Sequence, residues 1–429
     1  LTLDNVVVVG GGLAGSHAAA ALRARGYRNA LTLVGAEPHP PYDRPPLTKS
    51  VLAGDEGDTS FSTDWASLGI DLCLGERAEA LDLHDHLPGG VLKTTAGALA
   101  FGGLVLATGA EPVRLPGEGQ QHVVRTVDDV RALRPLLRPG THLALVGAGW
   151  IGAEVATIAA AKGCRVTVLE ADRAPLAAAV GARIGAWTAP WYAEAGVALR
   201  CGTAVTSVDP GGLRLADGEF FAADVVVVGV GARPAVGWLR DSGLEIARGV
   251  VVDESLRTAR PEVVALGDCA AWWSPRYGRY MVVEHWDTAL KASELAAAAL
   301  LGEDVCHDPV PYFWSEQFGR MVQYAGDHQG ADQVVLRGSP GDPEWAVLWL
   351  EGDRLLAILT VNRPRDLVQA RRALTTGCVV DLPAATDPGT ALRDALRADE
   401  RPGRDLSHDH TGRTAPVPRG PARARELPA

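Results

Sequence analysis

One piece of local grammar, a strand, a glycine turn, a helix and a second strand, occurs twice in this chain. Val6–Val9 is a continuous β-branched run of the kind found in parallel strands covered on both faces. Gly10, Gly11, Gly12 and Gly15 follow, then an alanine-rich helical stretch over Ala18–Ala24 and an apolar strand at Leu31–Val34. The same order returns at Leu143–Val146, with Gly147, Gly149 and Gly152, a helix over Ala153–Ala161 that stops at Gly163, and a strand at Val166–Leu169. The two units lie too far apart for a solenoid repeat, so the chain is read as two Rossmann-like α/β units.

Strand-to-glycine stops bracket them. Leu104–Ala110 closes the first unit, Val225–Ala232 closes the second, and Val263–Leu266 runs into Gly267-Asp268. The simplest arrangement inserts the second unit into the first. That predicts one dinucleotide-binding domain from 1–112 and 245–312, and another from 113–244. Short alternating strands at Met321–Ala325, Val334–Leu336, Ala346–Leu350 and Leu355–Val361, then a helix over Asp366–Thr375, predict an α+β domain over 313–400. Residues 401–429 hold five prolines and six arginines against three acids, with no aromatic residue. Such a stretch reads as a disordered tail, with a basic docking arm as the alternative.

Composition closes several routes. Among 429 residues, 47% are hydrophobic and 22% charged, an ordinary globular mixture. The formal net charge of −11 makes a nucleic-acid backbone a poor partner. No apolar run approaches the roughly 18 residues of a membrane span. Asp4 stands where a basic leader would be, so a cytoplasmic location is expected. The six cysteines include no CxxC pair, so neither a zinc ribbon nor a redox dithiol is written locally, and no metal site is expected.

In Gly10-x-Gly12-x-x-Gly15 the first glycine permits the tight turn. The second lets backbone approach a pyrophosphate, and the third lets helix and strand pack closely. Glu37 lies beyond it, where a carboxylate can accept ribose hydroxyls. The second unit repeats this with Gly147, Gly149 and Gly152, and Glu170 takes the acidic position. A carboxylate there favours NADH over NADPH, although Arg173 nearby could hold a 2′-phosphate. Two such sites suggest one resident flavin and one exchangeable nicotinamide, without saying which is which. The proline-rich stretch 40–49 pre-shapes a loop able to present Arg44 and Lys49 at fixed points.

At this level the chain resembles the NADH-dependent ferredoxin reductases of oxygenase and cytochrome P450 electron-transfer chains. The resemblance rests on VVVVGGGLAGSHAAAALRARGY, LTLVGAEPHPPYDRPPLTKSVLAG, VLATGAEP, LVGAGWIGAEVA, VTVLEADRAPL, VVVGVGARP, GVVVDESLRTARPEVVALGDCA, VEHWDTAL, PYFWSEQFGRMVQYAG and VNRPRDLVQARRAL, in family order from residue 6 to about 375. It implies a glutathione-reductase-like pair of domains, with FAD in the first site and NADH in the second. Gly10, Gly12, Ala14, Gly15 and Glu37 would hold the FAD adenosine part. Arg44, Lys49, Thr108, Gly109, Arg125 and Asp268 would lie along the flavin, with Trp286 and Trp314 against its ring system. Gly147, Gly149, Ile151, Gly152, Glu170 and Gly231 would hold NADH. Glu154 and Glu284 would flank the nicotinamide, Glu154 pairing with Lys49; these two, Lys49 and Glu154, are the expected catalytic residues.

This chain departs from the family in having PPLTK where PPLSK is frequent, Cys269 after the Gly-Asp turn, and Ala292-Ser293 where Gln-Gly is common. The implied partner is a 2Fe–2S ferredoxin, or a rubredoxin-like carrier, that feeds an oxygenase or P450, with the reductase a monomer or homodimer. The absence of cysteine before Cys73 argues against a thiol relay from the flavin. Direct reduction of a quinone-like small molecule, or a non-catalytic NADH-sensing flavoprotein, are the alternatives. A ferredoxin partner would need a local basic cluster at the flavin mouth despite the overall acidity.

Overall fold

The first valine run, extended by one residue to Asn5–Val9, is the middle of a five-stranded parallel sheet. Its order is Val263–Ala265, Gly103–Leu106, Asn5–Val9, Ala30–Gly35, Asp71–Leu74. Val6 through Val9 are all buried, consistent with cover on both faces. The computed structural model describes residues 3–55, 57 and 59–399, so the stretch 401–429 lies outside the described residues.

A second parallel sheet, ordered Ala198–Cys201, Arg165–Glu170, His142–Val146, Val225–Val228, belongs to the second glycine unit. Val263–Ala265, which follows it in the chain, pairs with Gly103–Leu106 of the first sheet. The chain therefore leaves the first sheet, builds the second and returns. Ala110–Pro112 and Ala232–Pro234 pair antiparallel where the two passages cross. Each unit also carries a three-stranded antiparallel ribbon, Ala78–Phe101 and Val205–Ala222, which the sequence reading did not separate from loop.

Both glycine helices begin earlier than their alanine runs suggest. They span Leu13–Ala24 and Trp150–Ala161, with Gly12 and Gly149 as the residues just before the first turn. Leu13, Trp150 and Ile151 are not the capping residues that announce a helix start, because the turn geometry is set by glycine instead. Glu154 thus sits in the second turn of its helix, beyond the first turn where the macrodipole favours an acid. The long helix Trp286–Leu300 was not read from sequence; its small Ala292, Ser293, Ala296 and Ala297 pack closely on the first glycine helix. Ser293 Oγ donates to the Ala14 carbonyl at 3.1 Å, so Ala292-Ser293 faces that helix.

The C-terminal region forms a seven-stranded antiparallel sheet, built around Arg320–Gly326, Arg354–Val361 and Trp345–Glu351. Alternation assigns its faces. Leu348 and Leu350 pack with Leu367, Ala370 and Leu374 of the helix Pro364–Thr376. Trp345, Val347 and Trp349 pack instead against Leu176, Ile184 and Trp191 of the second unit. The sheet is in this way clamped to the second unit. Among the described residues, no helix is long and apolar enough to cross a membrane.

Candidate functional site

Backbone geometry separates the roles of the glycines. Gly10 and Gly147 have φ of +119° and +101°, and a Cβ at either would run into the carbonyl oxygen of Ala107 or Gly229. A Cβ at Gly15 or Gly152 would collide with the carbonyl of Gly10 or Gly147. Those four positions are glycine because the protein itself leaves no room. Gly12 and Gly149 differ: the nearest atom to a Cβ at Gly12 is Arg44 Nε at 4.0 Å, and at Gly149 nothing lies within 4 Å. Both also have ordinary negative φ. Neither packing nor backbone strain requires glycine there, and the open space leaves room for a group to approach the backbone closely. The open space lies at a helix N-terminus, where amide N–H groups favour phosphate.

A chain of polar contacts rims the first turn. Glu37 accepts from Arg44 Nη2 at 2.7 Å and from Tyr42 OH at 2.5 Å. Arg44 Nη1 donates to the Arg125 carbonyl at 2.6 Å, and Arg125 Nη2 to Asp268 at 2.9 Å. Thr126 and Asp129 form a capping box that fixes the segment after Arg125. Gly109, at φ +71°, leaves space that Arg125 Nη2 approaches to 3.3 Å of where a Cβ would stand. Thr108 Oγ1 donates to the Ala235 carbonyl at 2.9 Å. Asp268 lies in the short 3₁₀ turn Gly267–Cys269, so its carboxylate serves Arg125 rather than capping a helix. Ala14 packs where Gly267 has no side chain. Cys269 is fully buried, and burial pushes its thiol pKa up, an inert environment.

The prolines fold 45–48 into a 3₁₀ turn that presents Lys49. Lys49 Nζ donates to Glu154 Oε2 at 2.9 Å, and Thr48 Oγ1 donates to the same oxygen. On the other side Ser315 Oγ donates to Glu154 Oε1 at 2.7 Å and the Glu316 amide does so at 3.3 Å. Four donors thus share one carboxylate that is 3% exposed, which uses its acceptor capacity. Ser315 was missed in the sequence reading; its only signal was a small polar residue within an aromatic strand, Tyr312–Gln317.

Trp286 and Trp314 meet edge to face at 6.1 Å, and Trp286 Nε1 donates to Asp43 at 2.8 Å. Tyr312 stacks on Trp314 at 6.0 Å, and the Arg371 guanidinium lies 3.9 Å from the Tyr312 ring centre. Glu284 opens to solvent from a recess, where surrounding protein and then the Asp268 carboxylate raise its pKa while Arg125 lowers it. His285, between Glu284 and Trp286, is held neutral by burial, with its pKa lowered to about 4. Its ring packs 4.7 Å from Phe313, which packs 4.6 Å from Trp150 beside the second glycine turn.

At that second turn Glu170 accepts from the Ala148 amide at 2.6 Å and the Asp172 amide at 2.8 Å. Ile151, two residues after Gly149, is 43% exposed. Gly231 has φ +111° with nothing within 4 Å of a Cβ, and Arg173 is exposed. The structure brings the first-turn residues into one connected rim and joins Lys49 to Glu154. Gly149, Ile151, Glu170 and Gly231 are related through the second turn and the ends of its sheet.

The pyridine nucleotide-disulphide oxidoreductase family model matches residues 4–293, and the reductase C-terminal domain model matches 312–396. The chain is 38% identical to the ferredoxin–NAD(+) reductase component of the biphenyl dioxygenase system of Paraburkholderia xenovorans, over 92% of this chain and 99% of that one. It is 32% identical to putidaredoxin reductase of Pseudomonas putida, over 92% and 97%. Among solved structures, that of Fdr9 aligns at a TM-score of 0.87 with 48% identity, covering 91% of this chain and 99% of that one. The covalent putidaredoxin reductase–putidaredoxin complex aligns at 0.86 with 32% identity, covering 91% and 98%.

Proposed function

The chain belongs to the pyridine nucleotide-disulphide oxidoreductase family, and on that premise we propose that it is a ferredoxin–NAD(+) reductase, carrying electrons from NADH through FAD to a 2Fe–2S ferredoxin of a dioxygenase or P450 system. The observation that carries this reading is the Lys49–Glu154 pair, because it joins the loop of the first glycine unit to the helix of the second.

The residues fit both coenzymes. The gaps at Gly12 and Gly149, each at a helix N-terminus, would admit phosphate groups. In this reading residues 1–112 with 245–312 hold FAD and 113–244 hold NADH, with 313–400 as the C-terminal domain. Glu37 and Asp268, each tied to an arginine, would orient the adenosine and central parts of FAD. Bound there, FAD supplies the hydride acceptor and the conversion to single-electron donation. Lys49, fixed by Glu154, holds a positive charge at the junction of the two sites. Trp286, locked by Asp43, and Trp314 would wall the flavin side and limit water. Glu170 supplies a fixed carboxylate for a 2′-hydroxyl, which favours NADH over NADPH.

A ferredoxin rather than a small oxidant is supported by the helix Pro364–Thr376. Arg365 and Arg372 are exposed on it, Val368 is 66% exposed, and Arg371 covers Tyr312 beside the tryptophan wall. Such a basic, partly apolar face suits an acidic carrier. We place the chain in the cytoplasm; its six cysteines are all free thiols, as suits a reducing compartment. The test is anaerobic reduction of the holoprotein by NADH, then reoxidation by a 2Fe–2S ferredoxin, with a quinone as the competing acceptor. Reoxidation by the quinone alone would overturn it.

A further inference from the structure

A groove of about 620 Å³ lies away from the coenzyme sites, between the second unit and the C-terminal sheet. One lip is Trp187, Pro190 and Glu194; the other is Phe318, Pro340 and Pro343, with Asp342 at the rim. The aromatic floor is fixed. Trp187 packs edge-on to Trp345 at 5.8 Å, and Arg320 lies over Trp191 at 4.9 Å while pairing with Glu194 at 2.6 Å. Two non-glycine residues in left-handed conformation, Phe318 at φ +50° and Asn362 at +54°, shape its base. Asn362 holds the far lip by donating to the Pro343 carbonyl at 2.8 Å. Backbone strain of this kind persists where surrounding contacts enforce it.

Proline rings lie well on exposed aromatic faces, and such grooves take proline-rich segments whose flanking arginines meet rim carboxylates. This chain carries a segment of that chemistry. Arg413, Pro416, Pro418, Arg419, Pro421, Arg423 and Arg425 follow the last residue matched by the family, 396. The segment lies beyond the last residue matched by the family models, and the relatives quoted above match 91–92% of this chain. We propose that residues 413–425 dock in this groove on their own chain and cover Trp187 and Phe318.

Reach allows it. Asp399 is paired with Arg354 at the start of the strand whose other end runs into Asn362. That strand covers about 27 Å at ~3.4 Å per residue. The residues between 399 and 416 span up to roughly 53 Å. Asp342 would meet the arginines, with Glu194, already paired with Arg320, as a shared second carboxylate.

The proposal does not depend on which acceptor the enzyme reduces, and hydrogen exchange on the full-length holoprotein tests it. Replacing Pro416, Pro418 and Pro421 by alanine together with Arg419→Glu is expected to speed exchange at least twofold in Ala186–Glu194. NADH-dependent ferricyanide reduction should be unchanged. Asp342→Lys, on the opposite lip, should give the same increase, and combining the two should add nothing. Unchanged exchange in the first variant, or additive effects, would overturn the proposal. Protection that fades on dilution would do so too, by assigning the groove to a second copy.

Discussion

Lys49 Nζ lies 2.9 Å from Glu154 Oε2, and the same carboxylate accepts from Thr48, Ser315 and the Glu316 amide. One buried acid therefore ties the first unit, the second unit and the C-terminal domain together. Breaking a buried pair leaves an uncompensated charge, at a cost of about 3–5 kcal/mol. Glu154→Ala should destabilise the protein by that order in urea unfolding and slow flavin reduction by NADH. Ser315→Ala, which removes one neutral donor, should cost about 1 kcal/mol. Equal losses for the two variants would show that the pair is not the anchor.

The glycines make a sharper contrast. Gly147→Ala and Gly152→Ala meet backbone carbonyls and should lower the melting temperature by several degrees. Gly149→Ala meets nothing within 4 Å, so its melting temperature should stay near that of the parent. Its KM for NADH should nevertheless rise at least tenfold, equivalent to about 1.4 kcal/mol of lost binding. Gly12→Ala should likewise preserve the fold and weaken FAD retention, measured by flavin release on gel filtration.

Glu170 is expected to set the choice between NADH and NADPH. Glu170→Gln keeps an acceptor for the Ala148 amide and removes the charge. NADH binding should weaken by roughly tenfold while NADPH binding holds or improves, because the repulsion of a 2′-phosphate is gone. Steady-state KM values for both coenzymes check it; an unchanged ratio removes the basis for the preference.

His307 gives a pH signature. It is 1% exposed, packs 5.2 Å from Trp272, and its pKa is lowered to about 4, by burial first and then by Lys291. Unfolded, it would titrate near its ordinary value of 6.5. Between those values the unfolded chain holds a proton that the folded one lacks, so stability rises with pH and is lost as pH falls from about 6.5 towards 4. The loss amounts to about 3 kcal/mol. Urea unfolding of His307→Gln across that range should show a decline shallower by about this amount.

The parallel strands and both glycine turns were legible because valine runs and glycine spacing are local signals. Helix starts were not, since Gly12 and Gly149 open their helices without a side-chain cap. The helix Trp286–Leu300 escaped because its closest packing uses alanine and serine, which carry little periodic contrast. The proline-rich loop singled out Lys49 and resemblance supplied its pairing with Glu154, whereas Ser315 and the Asp43–Trp286 bond arise only from tertiary contact. Pairing across 161 and 243 positions leaves no trace in local sequence.

Two coenzyme sites that meet at Lys49 and Glu154 are expected to discharge to a ferredoxin. Anaerobic stopped-flow spectroscopy of the flavin-loaded protein tests it most directly. Mixing with NADH should bleach the flavin band in one fast phase, and adding oxidised 2Fe–2S ferredoxin should restore it as the ferredoxin is reduced. A band that NADH leaves intact, or a reduced flavin that no ferredoxin reoxidises, would contradict the account.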